Sequence, residues 1–121
     1  MLNKLEEVAK RYDEIGAQMS DPAVISDQEL YQKLAREHGE KKPIVDLYLE
    51  WKALKDGVDE AKQILEDSSD KELAELARME IEESEEAMSR KEHEMRILLL
   101  PKDRYDDKNI YLEIRAGTGG D

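Results

Sequence analysis

The longest helical pattern in the sequence covers residues 69–100 and reads SDKELAELARMEIEESEEAMSRKEHEMRILLL. Ser69 and Glu72 form a capping box, which is typical of a helix N-terminus. Side chains that recur every three or four residues then share one face of the predicted helix. This thin, partly polar stripe consists of Leu73, Leu76, Ala77, Ile81, Ser84, Met88, Lys91, Met95 and Leu98. At about 1.5 Å per residue, the helix is roughly 45 Å long.

A second long stripe precedes the first. Pro43 lacks a backbone amide hydrogen, so it fits the first turn of a helix better than a helix interior. We therefore predict a break between Gly39 and Pro43 and a new helix from Pro43 onward. Its stripe consists of Ile44, Leu47, Trp51, Leu54, Val58, Ala61 and Leu65. Because only a short turn at residues 66–70 separates the two long helices, they are predicted to pack antiparallel as a hairpin.

Two more helices are predicted near the N-terminus. The first ends before Pro22, and its apolar stripe consists of Leu2, Leu5, Val8, Tyr12, Ile15 and Met19. The second is predicted to begin at Ser26, which forms a capping box with Glu29, and to run toward His38. The hydrophobic staple positions of this second helix are Ile25 and Leu30. We expect both helices to cover the apolar seam of the hairpin, which gives an all-α, four-helix domain.

The hydrophobic period changes after Pro101. Ile110, Leu112 and Ile114 alternate with polar or amphipathic residues, a pattern typical of a half-buried strand. Residues 1–100 are thus predicted to be a helical N-terminal domain, residues 101–109 a linker, and residues 110–121 a first strand with a glycine-rich turn. Since a lone strand has nothing to pair with, we expect the chain to be the N-terminal piece of a longer protein with a truncated α/β domain.

Composition and charge exclude several classes of function. The 121 residues contain 31 acidic and 19 basic side chains, so the net charge is -12, which argues against broad binding to a phosphate backbone. The absence of cysteine excludes disulfides and thiolate chemistry and fits a reducing compartment. The longest apolar run, residues 97–100, is far shorter than a membrane span, which needs about 20 residues. We expect a cytoplasmic protein without a membrane segment.

No catalytic, cofactor-binding or metal-binding residues are predicted. The tail at residues 117–121 lacks the lysine of a phosphate-binding loop, so a structural turn is favoured over a nucleotide-binding enzyme. His38 and His93 lack the spacing of a di-iron site and are interpreted as surface residues. Trp51 and Tyr48 are interpreted as core residues, with an exposed aromatic anchor for a partner as the alternative.

Residues 66–94 contain 12 acidic and 4 basic side chains, a local net charge of -8. A solvated helix face explains this excess most simply. The functional alternative is a docking surface for a basic protein. On that hypothesis the chain is a free-standing, acidic helical-hairpin adaptor.

Two segments carry a family resemblance. Residues 97–103 read ILLLPKD and residues 109–121 read NIYLEIRAGTGGD. With four preceding helices, they resemble the start of the bacterial class I peptide chain release factors. Thr118 and Asp121 favour the release factor 1 branch. The chain departs from the family at Arg104 and Tyr105, where a proline and a small polar residue are usual.

The resemblance implies a protein that terminates translation at UAA and UAG by promoting peptidyl-tRNA hydrolysis on the ribosome. In similar proteins a Pro-x-Thr tripeptide reads the codon and a Gly-Gly-Gln loop reaches the peptidyl transferase centre. Neither motif is present here, since Gly119 and Gly120 precede Asp121. The chain is therefore expected not to be an enzyme. The family also implies a position near the stalk base of the large subunit, with mRNA and peptidyl-tRNA contacted by other parts of the parent protein.

Overall fold

The computed structural model describes residues 1–101, which form four α-helices and contain no strand. The helices are α1 (Leu2–Met19), α2 (Pro22–Ile25), α3 (Gln28–Asp67) and α4 (Lys71–Leu99). The all-α prediction is thus confirmed for this part of the chain. The predicted strand and glycine-rich turn at residues 110–121, and the predicted linker beyond Pro101, lie outside the described residues.

Helices α3 and α4 form the predicted antiparallel hairpin. Near its open end, the Trp51 indole Nε1 donates to Glu92 Oε2 at 2.9 Å, and Lys91 Nζ donates to Glu50 Oε1 at 2.9 Å. Nearer the turn, Lys62 approaches Glu85 at 3.8 Å. Residues further along α3 thus contact residues earlier in α4, which shows that the two helices are antiparallel.

Helix α1 packs along α3 from Glu37 to Trp51, and α2 is a single turn that joins them. The largest buried cluster joins one side chain from α1, two from α3 and one from α4. These residues, which we call the three-helix junction, are Leu5, Tyr48, Trp51 and Met95. Away from this junction the core of the domain is thin, as a composition of 41% charged residues requires.

The predicted break between Gly39 and Pro43 is wrong, because α3 runs unbroken through Pro43 for 40 residues. A proline inside a helix costs about 3 kcal/mol, since it removes one backbone hydrogen bond and crowds the carbonyl four residues earlier. Helix α1 contacts α3 on both sides of this point, through Leu5 on one side and Arg11 on the other. Packing therefore outweighs the local preference for a break.

The single predicted stripe on α3 is also only partly right. Trp51, Val58 and Ala61 are buried as predicted, but Val45 and Tyr48 are buried off the stripe. Val45 and Val58 lie about 140° apart around the axis at 3.6 residues per turn. The reason is a change of partner, because α1 contacts α3 at residues 37 and 38, both α1 and α4 contact it at the three-helix junction, and α4 contacts it at Lys62.

Helix α4 keeps only part of its predicted stripe. Ala77 and Met95 are buried, whereas Leu73, Leu76 and Leu98 are exposed. In the described residues α4 packs along α3 alone outside the three-helix junction, because no other helix borders it there. One neighbour cannot cover the whole stripe. On α1, Leu5 and Ile15 are buried as predicted and Leu2 is exposed for the same reason.

Aspartates cap both long helices, each one residue after the predicted serine. The carboxylate of Asp27 accepts from the Leu30 amide at 3.2 Å, so Ser26 is not the cap of α3. Asp70 accepts from the amides of residues 72 and 73 at 3.0 and 3.4 Å. The cap of α4 is therefore Asp70 and not the predicted Ser69. A carboxylate also interacts favourably with the helix dipole, which a hydroxyl does not. The predicted staple fails with the shift, since Ile25 and Leu30 are exposed.

The Asp70 cap gives a direct test of this assignment. We expect Asp70→Ala to lower the free energy of unfolding by about 1 kcal/mol, because two amides lose their acceptor. Ser69→Ala is the matched control and should change it by less than about 0.5 kcal/mol. Urea unfolding followed by circular dichroism measures both. A larger loss of unfolding free energy in Ser69→Ala than in Asp70→Ala would show that Ser69 caps α4, as the sequence predicts.

Candidate protein-docking surface

The acidic excess at residues 66–94 maps to the end of α3, the turn and most of α4. We call this region the acidic hairpin surface. Its densest part is a run of exposed carboxylates on consecutive turns of α4, formed by Glu82, Glu83, Glu85 and Glu86. The run lies away from the buried positions of α4 and faces solvent along its length.

Nearby cations neutralise little of this charge. Arg78 lies 3.4 Å from Glu75, and Arg90 lies 3.8 Å from Glu86, with all four side chains more than half exposed. Exposed pairs of this kind contribute about 0–1 kcal/mol and exchange readily with other partners. Within residues 1–101, no basic side chain lies within 4 Å of the Glu82 or Glu83 carboxylate. The surface therefore remains strongly negative and open to a basic partner.

Exposed apolar side chains lie within the acidic hairpin surface, near the turn that joins α3 and α4. Leu76 is 63% exposed and Met79 is 53% exposed, one and two turns beyond the start of α4. A shallow groove, here called the tip groove, lies at the same end of the hairpin. It is lined by Glu60, Gln63, Ile64, Asp67, Ser68 and Leu73. Apolar residues rimmed by charge are typical of protein-binding surfaces.

The turn that carries this surface is fixed by hydrogen bonds. The Ser68 amide donates to the Ile64 carbonyl at 2.9 Å and closes α3. The Ser68 hydroxyl accepts from the Asp70 amide at 3.1 Å, and Asp70 then caps α4. The tip is thus held in one geometry before any partner binds.

Trp51 and Tyr48 belong to the core, as the simpler interpretation predicted, and not to this surface. Both are buried, with 7% and 6% of their surface exposed. Their rings lie nearly parallel at a centroid distance of 6.4 Å. The alternative of an exposed aromatic anchor is therefore wrong at these two positions.

The histidines occupy different environments. His93 is exposed on α4, beside Arg90 and Arg96, as predicted for a surface residue. His38 is half-buried and stacks on Tyr12 with ring centroids 4.0 Å apart, so its interpretation as a plain surface residue is wrong. The missed signal was the position of Tyr12 on the apolar stripe of α1.

The strongest electrostatic interaction lies between α1 and α3. Nε and Nη2 of Arg11 donate to the two carboxylate oxygens of Glu37 at 2.8 and 3.0 Å. Lys41 Nζ lies 3.0 Å from the same carboxylate. Hydrogen bonds from Arg11 and then Lys41 lower the pKa of Glu37 from 4.5 to about 2. This group joins two helices and is structural.

The lowered pKa of Glu37 predicts a dependence of stability on pH. The folded state favours the carboxylate, so its contribution is fully present above pH 4.5 and is lost as the pH falls toward about 2. Wild type should therefore exceed Glu37→Gln in unfolding free energy at neutral pH, and the two should converge below pH 4.5. Urea titrations at a series of pH values measure the difference. The exposed Glu40, changed to Gln, is the matched control and should show no such convergence.

The described residues present no centre for metal chemistry and no membrane helix. Across residues 1–101, no group of three or more histidine and acidic side chains could hold a metal ion. In the same part of the chain, none of the four helices has the length and apolar character that crossing a membrane requires. The predicted turn at residues 117–121 lies outside the described part of the chain.

Comparison with known families decides the relationship. The PCRF domain matches residues 8–121. The chain belongs to the PCRF domain family. The match confirms the resemblance to release factors, and it extends over nearly the whole chain, including the segment beyond the described helices.

Proteins named Peptide chain release factor 1 are similar to this PCRF domain chain over its whole length. The protein of Clostridioides difficile (strain 630) is 49% identical over 121 residues, and that of Alkaliphilus metalliredigens (strain QYMF) is 45% identical over 122. The protein of Syntrophus aciditrophicus (strain SB) is 43% identical over 121 residues. In each case all of this chain aligns with 34% of the relative, so the chain spans about a third of the relatives' length. No solved structure matches the chain.

Proposed function

We propose that this chain is the N-terminal domain of a peptide chain release factor that terminates translation at UAA and UAG. The parent protein would promote hydrolysis of peptidyl-tRNA on the ribosome. The observation that carries the proposal is the alignment of the whole chain with proteins named Peptide chain release factor 1. Within the 121 residues there is neither Pro-x-Thr nor Gly-Gly-Gln, so the proposal assigns codon reading and ester hydrolysis to other parts of the parent protein.

The domain acts in this proposal as a docking arm in the cytoplasm, with the ribosome as its partner. The acidic hairpin surface and its exposed Leu76 and Met79 suit a basic protein surface better than RNA, since phosphates would be repelled. The stalk base of the large subunit, where the family's first domain is expected, is the position we assign. Contacts to mRNA and peptidyl-tRNA would come from other parts of the parent protein, and no cofactor is needed.

A chimeric factor tests the proposal. This chain would replace the matching third of the Clostridioides difficile relative, and release of a labelled peptide would be measured on ribosomes stalled at UAA, UAG or UGA. We expect release at UAA and UAG at rates within about threefold of the unmodified relative, because the docking geometry is kept. The isolated chain should release nothing.

A chimera that folds but releases no peptide would overturn the assignment, as would release by the isolated chain. Sequencing the reading frame beyond Asp121 is an independent check of the parent. It should encode Pro-x-Thr followed by Gly-Gly-Gln.

A second candidate function is an adaptor that binds a basic protein away from the ribosome. Two features favour it: the Glu82 and Glu83 carboxylates, which form no ion pair within residues 1–101, and the exposed Leu76 and Met79. Under this hypothesis the isolated chain should bind its partner without ribosomes, and binding should weaken steeply between low and physiological salt. Sedimentation with purified ribosomes against free basic protein distinguishes the two functions.

A further inference from the structure

Helix α3 has its weakest point at residues 39–43. Pro43 donates no backbone hydrogen bond, so the carbonyl of Gly39 loses its partner four residues on. Gly39 is exposed, and a Cβ added there would meet no atom within 4 Å, so no side chain supports the backbone. Kinks in long helices occur mainly at such sites. By contrast, Gly57 in the same helix is backed by Glu80 of α4 at 3.7 Å.

Helix α1 contacts α3 on both sides of this point. On the C-terminal side, Leu5 packs with Tyr48 and Trp51 in the three-helix junction. On the N-terminal side, Arg11 forms its two hydrogen bonds with Glu37, and Tyr12 stacks on His38. Helix α1 contains no proline, so it is the stiffer of the two helices at this level.

The N-terminal contacts are of a kind that can be released. The Arg11 and Glu37 side chains are 41% and 30% exposed, so water and salt can compete for their hydrogen bonds. We call Arg11, Tyr12, Glu37 and His38 the latch. Ile15 of α1 is fully buried next to the latch, so the N-terminal contact also has an apolar part. On the other side, Leu5 and Met95 are fully buried in a cluster that α4 completes, so the three-helix junction should hold when the N-terminal contacts open.

We propose that residues 39–43 are a hinge in α3 and that α1 holds it straight through the latch. When the latch opens, the end of the domain that carries α2 swings relative to the hairpin. The angle between these two parts is then set by α1 and not by the stiffness of α3. This inference is independent of the proposed function, since it concerns the fold alone.

Distances between paired spin labels test the hinge, and the chain has no cysteine to interfere. Labels at Lys33→Cys and Ala53→Cys, both exposed, lie on either side of it, about 30 Å apart along a straight helix. We expect a narrow distance distribution in the otherwise unchanged chain. Adding Arg11→Ala, Tyr12→Ala and Ile15→Ala, which together we call the latch variant, should broaden the distribution about twofold, because the hinge is no longer held.

Two further variants separate a hinge from general loosening. Gly39→Ala with Pro43→Ala, added to the latch variant, should restore the narrow distribution. Gly57→Ala, added instead, should leave it broad. Labels at Ala53→Cys and Ser89→Cys, both on the hairpin, should show an unchanged distribution throughout.

A latch variant as narrow as the starting chain would overturn the proposal, and so would failure of the alanine pair to restore the width. Should the latch variant lose its helical circular dichroism, amide exchange in the unaltered chain decides instead. Amides at residues 40–44 should then exchange at least about tenfold faster than those at residues 54–58. Equal protection in the two segments would rule out the hinge.

Discussion

Replacing Met95 with alanine should lower the free energy of unfolding by about 2–5 kcal/mol. The Met95 side chain is fully buried in the three-helix junction, where it packs with Leu5, Tyr48 and Trp51. Its loss leaves a cavity that three helices line, so no single helix can shift to fill it without leaving another contact. Since the core is thin elsewhere, this one cavity removes a large part of the total stability.

Met79→Ala is the matched control, because it deletes the same atoms from the same helix at a position that is 53% exposed. It should change the free energy of unfolding by less than about 0.5 kcal/mol. Urea unfolding followed by circular dichroism measures both variants. Similar losses in the two would mean that the three-helix junction is not the core of the domain.

Reversing three charges on α4 should raise the KM for peptide release by about tenfold in the chimeric factor, a loss of about 1.4 kcal/mol in binding. The substitutions are Glu82→Lys, Glu83→Lys and Glu86→Lys, all exposed on the acidic hairpin surface. A basic partner would then meet like charge, which slows encounter and weakens docking. Under the proposed function the kcat should stay the same, because hydrolysis is assigned to other parts of the parent protein.

A control triple on α1 separates docking from net charge. Glu6→Lys, Glu7→Lys and Glu14→Lys reverse the same number of exposed carboxylates. We expect a change in KM below about twofold, since these carboxylates lie on α1 and not on the acidic hairpin surface. Equal effects from both triples would show that the ribosome senses total charge and not this surface.

The sequence predicted the parts of the fold that depend on local pattern. Helical periodicity and the short turn at residues 66–70 were sufficient for the hairpin, and the burial of Trp51 followed from its place on a stripe. The continuity of α3 through Pro43 was not predictable in the same way. It depends on α1 packing across the site, which no local propensity records.

The local sequence pattern also could not predict which apolar residues are exposed. Leu76 and Met95 both carry apolar side chains on α4, yet one is 63% exposed and the other fully buried. The difference is the number of neighbouring helices, since α1 reaches the level of Met95 and not that of Leu76. The acidic excess of the candidate surface, by contrast, could be read from composition, because charged side chains are exposed almost wherever they occur.

The chain contains one tryptophan, and it lies where α1, α3 and α4 meet, with its indole donating to Glu92. Its emission spectrum is therefore an optical reporter of assembly. Docking of α1 and of α4 should each shift the emission maximum to shorter wavelength as water leaves the ring. Tryptophan fluorescence can then follow the docking of α1 and α4 in real time, without any dye or label.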